Sequence, residues 1–230
     1  MSNTSNTKAE KGSKFWMQKI VNENSFKARL EESLGEKFLE FFCPLQAEAY
    51  KEYQLKEPKI ISEMLGLSRE GFRERFSFWP TNQPHWDSIA LSSDGKILYL
   101  FEAKAHPKEI FSKISAVNLN SIEKITNSMR TVFEEISDAD EKNFAAWLNK
   151  YYQLGNRFTF LHFMNRMTFP KIKRTVLVLL NITDDKTYIA TSKTDWIRHY
   201  EEIFQEMLGQ KIPPPNVEMI YFPSNISPPR

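Results

Sequence analysis

His85-Trp-Asp-Ser-Ile-Ala-Leu-Ser-Ser-Asp-Gly-Lys-Ile-Leu-Tyr-Leu-Phe-Glu-Ala-Lys104 decides how this chain is read. Two apolar runs, His85 to Leu91 and Ile97 to Lys104, flank Ser92-Ser-Asp-Gly-Lys96, and Asp94-Gly95 is a strong short-range hairpin signal. A two-residue loop at Asp94-Gly95 sets Leu91 opposite Leu98, Ile89 opposite Leu100, Asp87 opposite Glu102 and His85 opposite Lys104. Side chains alternate along a strand, so these eight share one face. Trp86, Ser88, Ala90, Ile97, Tyr99, Phe101 and Ala103 take the other. The first face is apolar near the turn and ionised at its far end.

Outward from the hairpin, Phe26, Leu30, Leu34, Phe38 and Phe41 recur at helical spacing, with Ser25 as a cap and Pro44 as a stop. Residues 56–76 read as helix and loop. Glu109 to Asn165 reads as helical, with a break near Ser137-Asp-Ala-Asp140. Thr175 to Ile182 reads as a central strand, Thr194 to Leu208 as a helix stopped by Gly209, and Val217 to Phe222 as a last strand. Strands separated by helices imply an α/β fold, a central mixed sheet flanked by helices. The expected division is a polar, disordered segment over 1–13, one domain over 14–223 and a Pro-rich tail over 224–230.

The 230 residues carry 31 Lys plus Arg against 29 Asp plus Glu, a net charge of +2. A polyanion-coating protein with a strong basic excess is excluded; a local basic groove is not. The single cysteine, Cys43, is read as a core residue. The N-terminus has no apolar run, and the longest apolar stretch, around Thr175 to Leu180, is far short of the ~20 residues a membrane helix needs. A cytoplasmic, reducing location with no membrane contact is expected. No Gly-rich phosphate loop, G-x-S-x-G elbow or His cluster points to a small-molecule hydrolase.

Two carboxylates facing each other across a hairpin should share a proton or hold a cation. Asp87 and Glu102 are hard oxygen ligands suited to Mg²⁺ or Mn²⁺, and the carbonyl of Ala103 could complete the protein's share. Lys104 would position or help deprotonate an attacking water, or stabilise a pentavalent phosphate. The plain alternative is a structural ion pair, but ion pairs usually sit on the solvated face, not the apolar one.

Asp87 followed by Glu102-Ala103-Lys104 resembles the signature of the PD-(D/E)XK nuclease superfamily. Phe78 to Asp87 and Leu100 to His106 are similar to an uncharacterised bacterial branch of it. The tripeptide alone is not specific: Glu57-Pro58-Lys59, Asp94-Gly95-Lys96, Asp140-Glu141-Lys142 and Asp184-Asp185-Lys186 also fit. Only Glu102 ends an apolar strand with an acid opposite. The resemblance implies a restriction-endonuclease-like core (αβββαβ) with helical additions, and metal-dependent hydrolysis of phosphodiester bonds in DNA. Two sites for double-strand cutting would call for a homodimer. The other reading is a catalytically inactive nucleic-acid- or protein-binding module that keeps the fold.

The resemblance also implies a Glu from the first helix, and Glu36 looks most like it. Helical periodicity turns Glu36 away from the Leu30–Leu34 stripe, and leaves Glu31 and Glu40 as other candidates. It further implies a Gln on the helix after the catalytic strand. Gln153 fits, lying with Asn149 and Asn156 and beside Arg157, opposite the stripe Phe144, Trp147, Tyr151, Leu154, Phe158, Leu161. His106, two residues beyond Lys104, could touch a phosphate or make only a local hydrogen bond. Trp79 and Trp86 are expected to pack, not to stack on bases.

Overall fold

The computed structural model describes residues 8–225. In chain order the regular elements are helices α1 (Gly12–Asn22) and α2 (Asn24–Leu34), strand β1 (Leu39–Cys43), helix α3 (Arg69–Arg75) and strands β2 (Ser88–Ser92) and β3 (Ile97–Lys104). Helices α4 (Leu119–Ile136), α5 (Phe144–Asn149) and α6 (Tyr152–Arg166) follow, then strand β4 (Arg174–Thr183), helix α7 (Lys193–Leu208) and strand β5 (Val217–Pro223). The five strands form one mixed sheet in the order β1-β2-β3-β4-β5. The β1/β2 and β2/β3 pairs are antiparallel; β3/β4 and β4/β5 are parallel. Strand β3 is therefore the seam between an antiparallel and a parallel half. Among the described residues no helix is long and apolar enough to cross a membrane.

Helices cover both faces, which is why β3 and β4 read as nearly uninterrupted apolar runs. On one face Trp16, Ile20 and Leu30 of α1 and α2 pack on Tyr99, Phe101, Val178 and Leu180. On the other, Phe133, Trp147, Phe158 and Phe204 pack on Ile89, Leu98, Leu100, Leu177 and Leu179. Trp86, Trp147 and Trp196 are completely buried, and each such side chain contributes roughly 2–3 kcal/mol through area removed from water.

The hairpin has the expected register: Ser88 pairs with Phe101, Ile89 with Leu100, Ala90 with Tyr99 and Leu91 with Leu98. Its turn is wider than two residues. The Gly95 N–H donates to the Ser92 carbonyl at 2.9 Å, and Gly95 takes the left-handed conformation, φ 68°.

Three expectations need correction. The helix over 26–41 ends at Leu34, where Gly35 turns left-handed and its N–H caps the carbonyls of Glu31 and Glu32. Leu39, Glu40 and Phe41 then alternate in, out, in as a strand, and Phe38 is 49% exposed, so the run of spacings through 38 and 41 is a coincidence of two periods. The cap residue is Glu23, not Ser25, and makes no side-chain cap bond. Second, regular strand geometry starts at Ser88, not His85; before it Trp86 bridges to Tyr53, and its indole joins the Ile89 face instead of the Ala90 face. Third, the helical stretch after β3 begins at Leu119, not Glu109, with no helix over 111–118, and it is interrupted at Lys150-Tyr151 as well as near 137–140, with Tyr151 bridging to Ser112.

Of the segment expected to be disordered, residues 1–7 lie outside the described residues, 8–11 carry no regular structure and Gly12 opens α1. Of the expected tail, 226–230 lie outside the described residues, and the Ser224 N–H donates to the Thr183 carbonyl at 3.0 Å.

Gly209 ends α7 at φ 72°, and a Cβ there would stand 2.6 Å from the backbone nitrogen of Ala139. Left-handed strain and this backbone clash act together, so Gly209→Ala should lower unfolding free energy by about 2–4 kcal/mol. Urea denaturation of the two proteins measures it; a loss of a few tenths would contradict the packing described.

Candidate active site

Strand β2 pairs with β3 only as far as Ser88 and Phe101, whereas β3 runs on to Lys104 with β4 alone beside it. The last residues of β3 therefore have an open flank where β2 would have been. Asp87 fills it: its Oδ2 accepts the Ala103 N–H at 2.7 Å. N–H and C=O of one strand residue project to the same side, so the Ala103 carbonyl points into the same gap as Asp87.

Glu102 and Lys104 project from β3 toward the α4–α7 side. They are 2% and 7% exposed. Lys104 Nζ donates to Glu102 Oε1, and to Gln153 Oε1 at 3.0 Å. Arg157, also 2% exposed, donates from Nε to Glu102 Oε2 at 2.7 Å. Its two remaining nitrogens donate to the His85 carbonyl at 2.7 Å and to Asn156 Oδ1 at 2.9 Å. The guanidinium lies 4.3 Å from the Trp86 ring centroid, a desolvated cation–π contact. Gln153 and Arg157 stand one helical turn apart on α6 and so reach the same strand end. The start of that helix is pinned by the Gln153 N–H donating to Ser112 Oγ at 2.8 Å. Tyr200, Leu179 and Ile110 close the floor under Glu102, leaving a void of only about 10 Å³.

The two acids are driven apart in proton affinity. Burial, and then the charge of Glu102, push Asp87 up to about 7. Burial would also raise Glu102, but Arg157 and Lys104 outweigh it and hold its carboxyl below the ordinary range. The result is one carboxyl that exchanges its proton near neutrality and one that stays ionised. Formally, Asp87 and Glu102 balance Lys104 and Arg157.

Asp87, Glu102, Ala103, Lys104 and Gln153 thus meet at one place. Glu36 does not join them: its Oε1 accepts the Tyr99 hydroxyl at 2.7 Å, on the opposite face of the sheet from Glu102. Glu31 accepts the Leu39 N–H at 2.8 Å, and Glu40 is exposed opposite Leu91. His106 accepts the Lys108 N–H at 3.1 Å and meets the Tyr188 ring edge-on, a local role; burial lowers its pKa.

Two residues were not anticipated as site members. The sequence reads Arg157 only as a neighbour of the amides; its signal is an arginine set between Asn156, Phe158 and Thr159 on a helix that carries no acid. Glu52, whose charge reaches Asp87 and His85 and which pairs with Lys14 at 3.4 Å, lies in irregular chain and gave no signal.

Among the described residues no group of three or more His, Cys, Asp or Glu side chains is arranged to hold a metal ion. The oxygen donors present are two carboxylates and one carbonyl. Their chemistry suits a hard divalent cation, and Asp87, raised in pKa and partly exposed, is the group such a cation would relieve. Compared with family models, curated proteins and solved structures, the chain matches none.

Two outcomes follow. Arg157→Met would strand a buried carboxylate oxygen and should cost about 3–5 kcal/mol in urea denaturation; a cost under about 1 kcal/mol would show the pair to be dispensable. For Asp87, the folded-state pKa lies above the ordinary 3.8, so between 3.8 and about 7 the folded protein binds more protons than the unfolded chain. This group therefore lowers stability as pH rises through that window. Asp87→Asn should gain roughly 1–3 kcal/mol over wild type near pH 8 without added metal, and the gain should vanish below about pH 4. A pH-independent difference would contradict it.

Proposed function

We propose that the protein is a divalent-metal-dependent endonuclease hydrolysing phosphodiester bonds in DNA. The observation that carries this reading is that Asp87, on the open flank of β3, feels the charge of Glu102, which with Lys104 projects from the same strand end. The chain order α2, β1, β2, β3, α4–α6, β4 supports reading the core as restriction-endonuclease-like, with α1, α3, α7 and β5 as additions.

Asp87, Glu102 and the Ala103 carbonyl would hold Mg²⁺ or Mn²⁺, which lowers the pKa of bound water and offsets charge on the reacting phosphate. The chain's own groups do the positioning. Arg157 locks the Glu102 rotamer through one oxygen. Gln153 accepts from the Lys104 ammonium and aims it along the strand edge. Lys104 holds the attacking water and stabilises negative charge developing on the phosphate oxygens, in a site whose sealed floor strengthens each charge. Cutting both strands would call for a homodimer.

One observation favours a second reading, a binding module that keeps the fold without catalysis: both Glu102 oxygens already accept from cations. Cleavage separates the two. Wild type should nick supercoiled plasmid with Mg²⁺ or Mn²⁺ and not with EDTA. Lys104→Ala should lose about 10³-fold or more, and Gln153→Ala about tenfold, each assayed where its circular dichroism is still that of the folded chain, since Lys104→Ala also strands Glu102 Oε1 and lowers stability. A wild type inert on DNA and RNA with either metal, or a Lys104→Ala variant as active as wild type, would overturn the nuclease reading.

A further inference from the structure

Leu177, Leu179 and Asn181 of β4 point to the α4–α7 side, since Val178, Leu180 and Ile182 pack on the other face. The third place in that row breaks an apolar pattern. Asn181 is 0% exposed, and among the described residues its Oδ1 has no donor. Its Nδ2 donates to the Leu179 carbonyl at 3.0 Å, which sets the amide orientation and turns Oδ1 away from that carbonyl. A buried acceptor left unpaired is destabilising, and a leucine would continue the row without it.

Oδ1 is sealed from solvent, so its donor has to come from the chain itself. Asn181 is in register with Lys104 on β3 and with Tyr221 on β5. Tyr221 carries its hydroxyl on a rigid ring, which lies under the Lys193 ammonium at 5.5 Å. The indole N–H of Trp196, from α7, already donates to the Ile182 carbonyl at 2.8 Å. Lys104 differs from both. Its ammonium has three N–H donors but, among the described residues, two acceptors, Glu102 Oε1 and Gln153 Oε1. Neighbouring strands lie about 4.8 Å apart, a gap that the flexible four-carbon stem of a lysine spans. A spare donor and a spare acceptor thus occupy adjacent places on one face of the sheet.

We infer that Asn181 is a positioning residue for the proposed reaction, the second seat of the Lys104 ammonium. Lys104 sits on Glu102, and it has to leave Oε1 before a divalent cation can use that oxygen. Without another acceptor the displaced ammonium would be left underbonded inside the core. Asn181 Oδ1 receives it while Gln153 keeps its hold, so Lys104 stays charged and stays at the strand end. A carboxylate at 181 would keep Lys104 permanently; a neutral amide keeps it only when Glu102 is engaged elsewhere. The inference rests on the metal-site part of the nuclease reading.

The test is Mn²⁺ binding by the full chain, without DNA, measured by isothermal titration calorimetry. Four proteins are compared: wild type, Asn181→Leu, Lys104→Met and the double variant. Asn181→Leu should bind Mn²⁺ about tenfold more weakly than wild type, as expected for one lost hydrogen bond to a charged group. In the Lys104→Met background, with no ammonium to seat, the same exchange should leave Mn²⁺ affinity unchanged. A packing defect would weaken binding in both backgrounds. If a variant fails to fold, wild-type crystals soaked in Mn²⁺ decide, with Lys104 Nζ expected about 2.9 Å from Asn181 Oδ1. Asn181→Leu binding as wild type does, an equal loss with and without Lys104, or a soaked crystal with Lys104 turned to solvent or still on Glu102 would overturn the inference. Coupling between Asn181 and Lys104 without DNA cleavage removes only the nuclease activity. Cleavage without that coupling removes only the second seat, and a wild type that binds no Mn²⁺ removes both.

Discussion

Glu102 clasped between Lys104 and Arg157 is the interaction on which the arrangement of this end of the sheet depends. An ionised carboxylate 2% exposed survives only because each oxygen accepts from a cation. The same contacts draw together elements far apart in sequence. Strand β3 supplies Glu102 and Lys104, α6 supplies Gln153 and Arg157, and the guanidinium reaches on to the carbonyl of His85 and the ring of Trp86. That grip holds the segment entering β2, and with it Asp87, against the Ala103 N–H.

The consequence is an unequal pair of acids. Asp87 is held away from water, has one backbone donor and faces the like charges of Glu102 and Glu52, and so keeps its proton up to about 7. Glu102 has two cations and does not. A hard cation arriving at the gap would favour ionised Asp87 and compete with Lys104 and Arg157 for Glu102. Arg157 thereby sets how strongly the site draws further positive charge, a constraint that a site of bare carboxylates would lack.

The hairpin and its partners were legible in the sequence because period-2 alternation, a turn signal and an ionised far end agree there. The register of β2 and β3, the central strand β4 and helix α7 with its Gly209 stop follow from the same kind of local agreement. The region 34–43 is helical by pattern and a strand in the structure because Leu34, Phe38 and Phe41 keep helical spacing across a glycine that ends the helix. Trp86 changes face because the strand does not extend back to it, and alternation says nothing where pairing stops. Arg157 escaped because its acid lies 55 residues away, and a long-range ion pair leaves no local pattern. Glu36 was placed by resemblance alone, and its carboxylate is engaged by Tyr99 on the far face.

The central claim is that the gap between Asp87 and β3 welcomes a hard divalent cation. Anomalous scattering from crystals soaked in Mn²⁺ tests it most directly. One peak is expected about 2.1 Å from oxygens of Asp87, Glu102 and Ala103, with Lys104 swung off Glu102 Oε1. A map without that peak at millimolar Mn²⁺, with Glu102 still held by both cations, would contradict it.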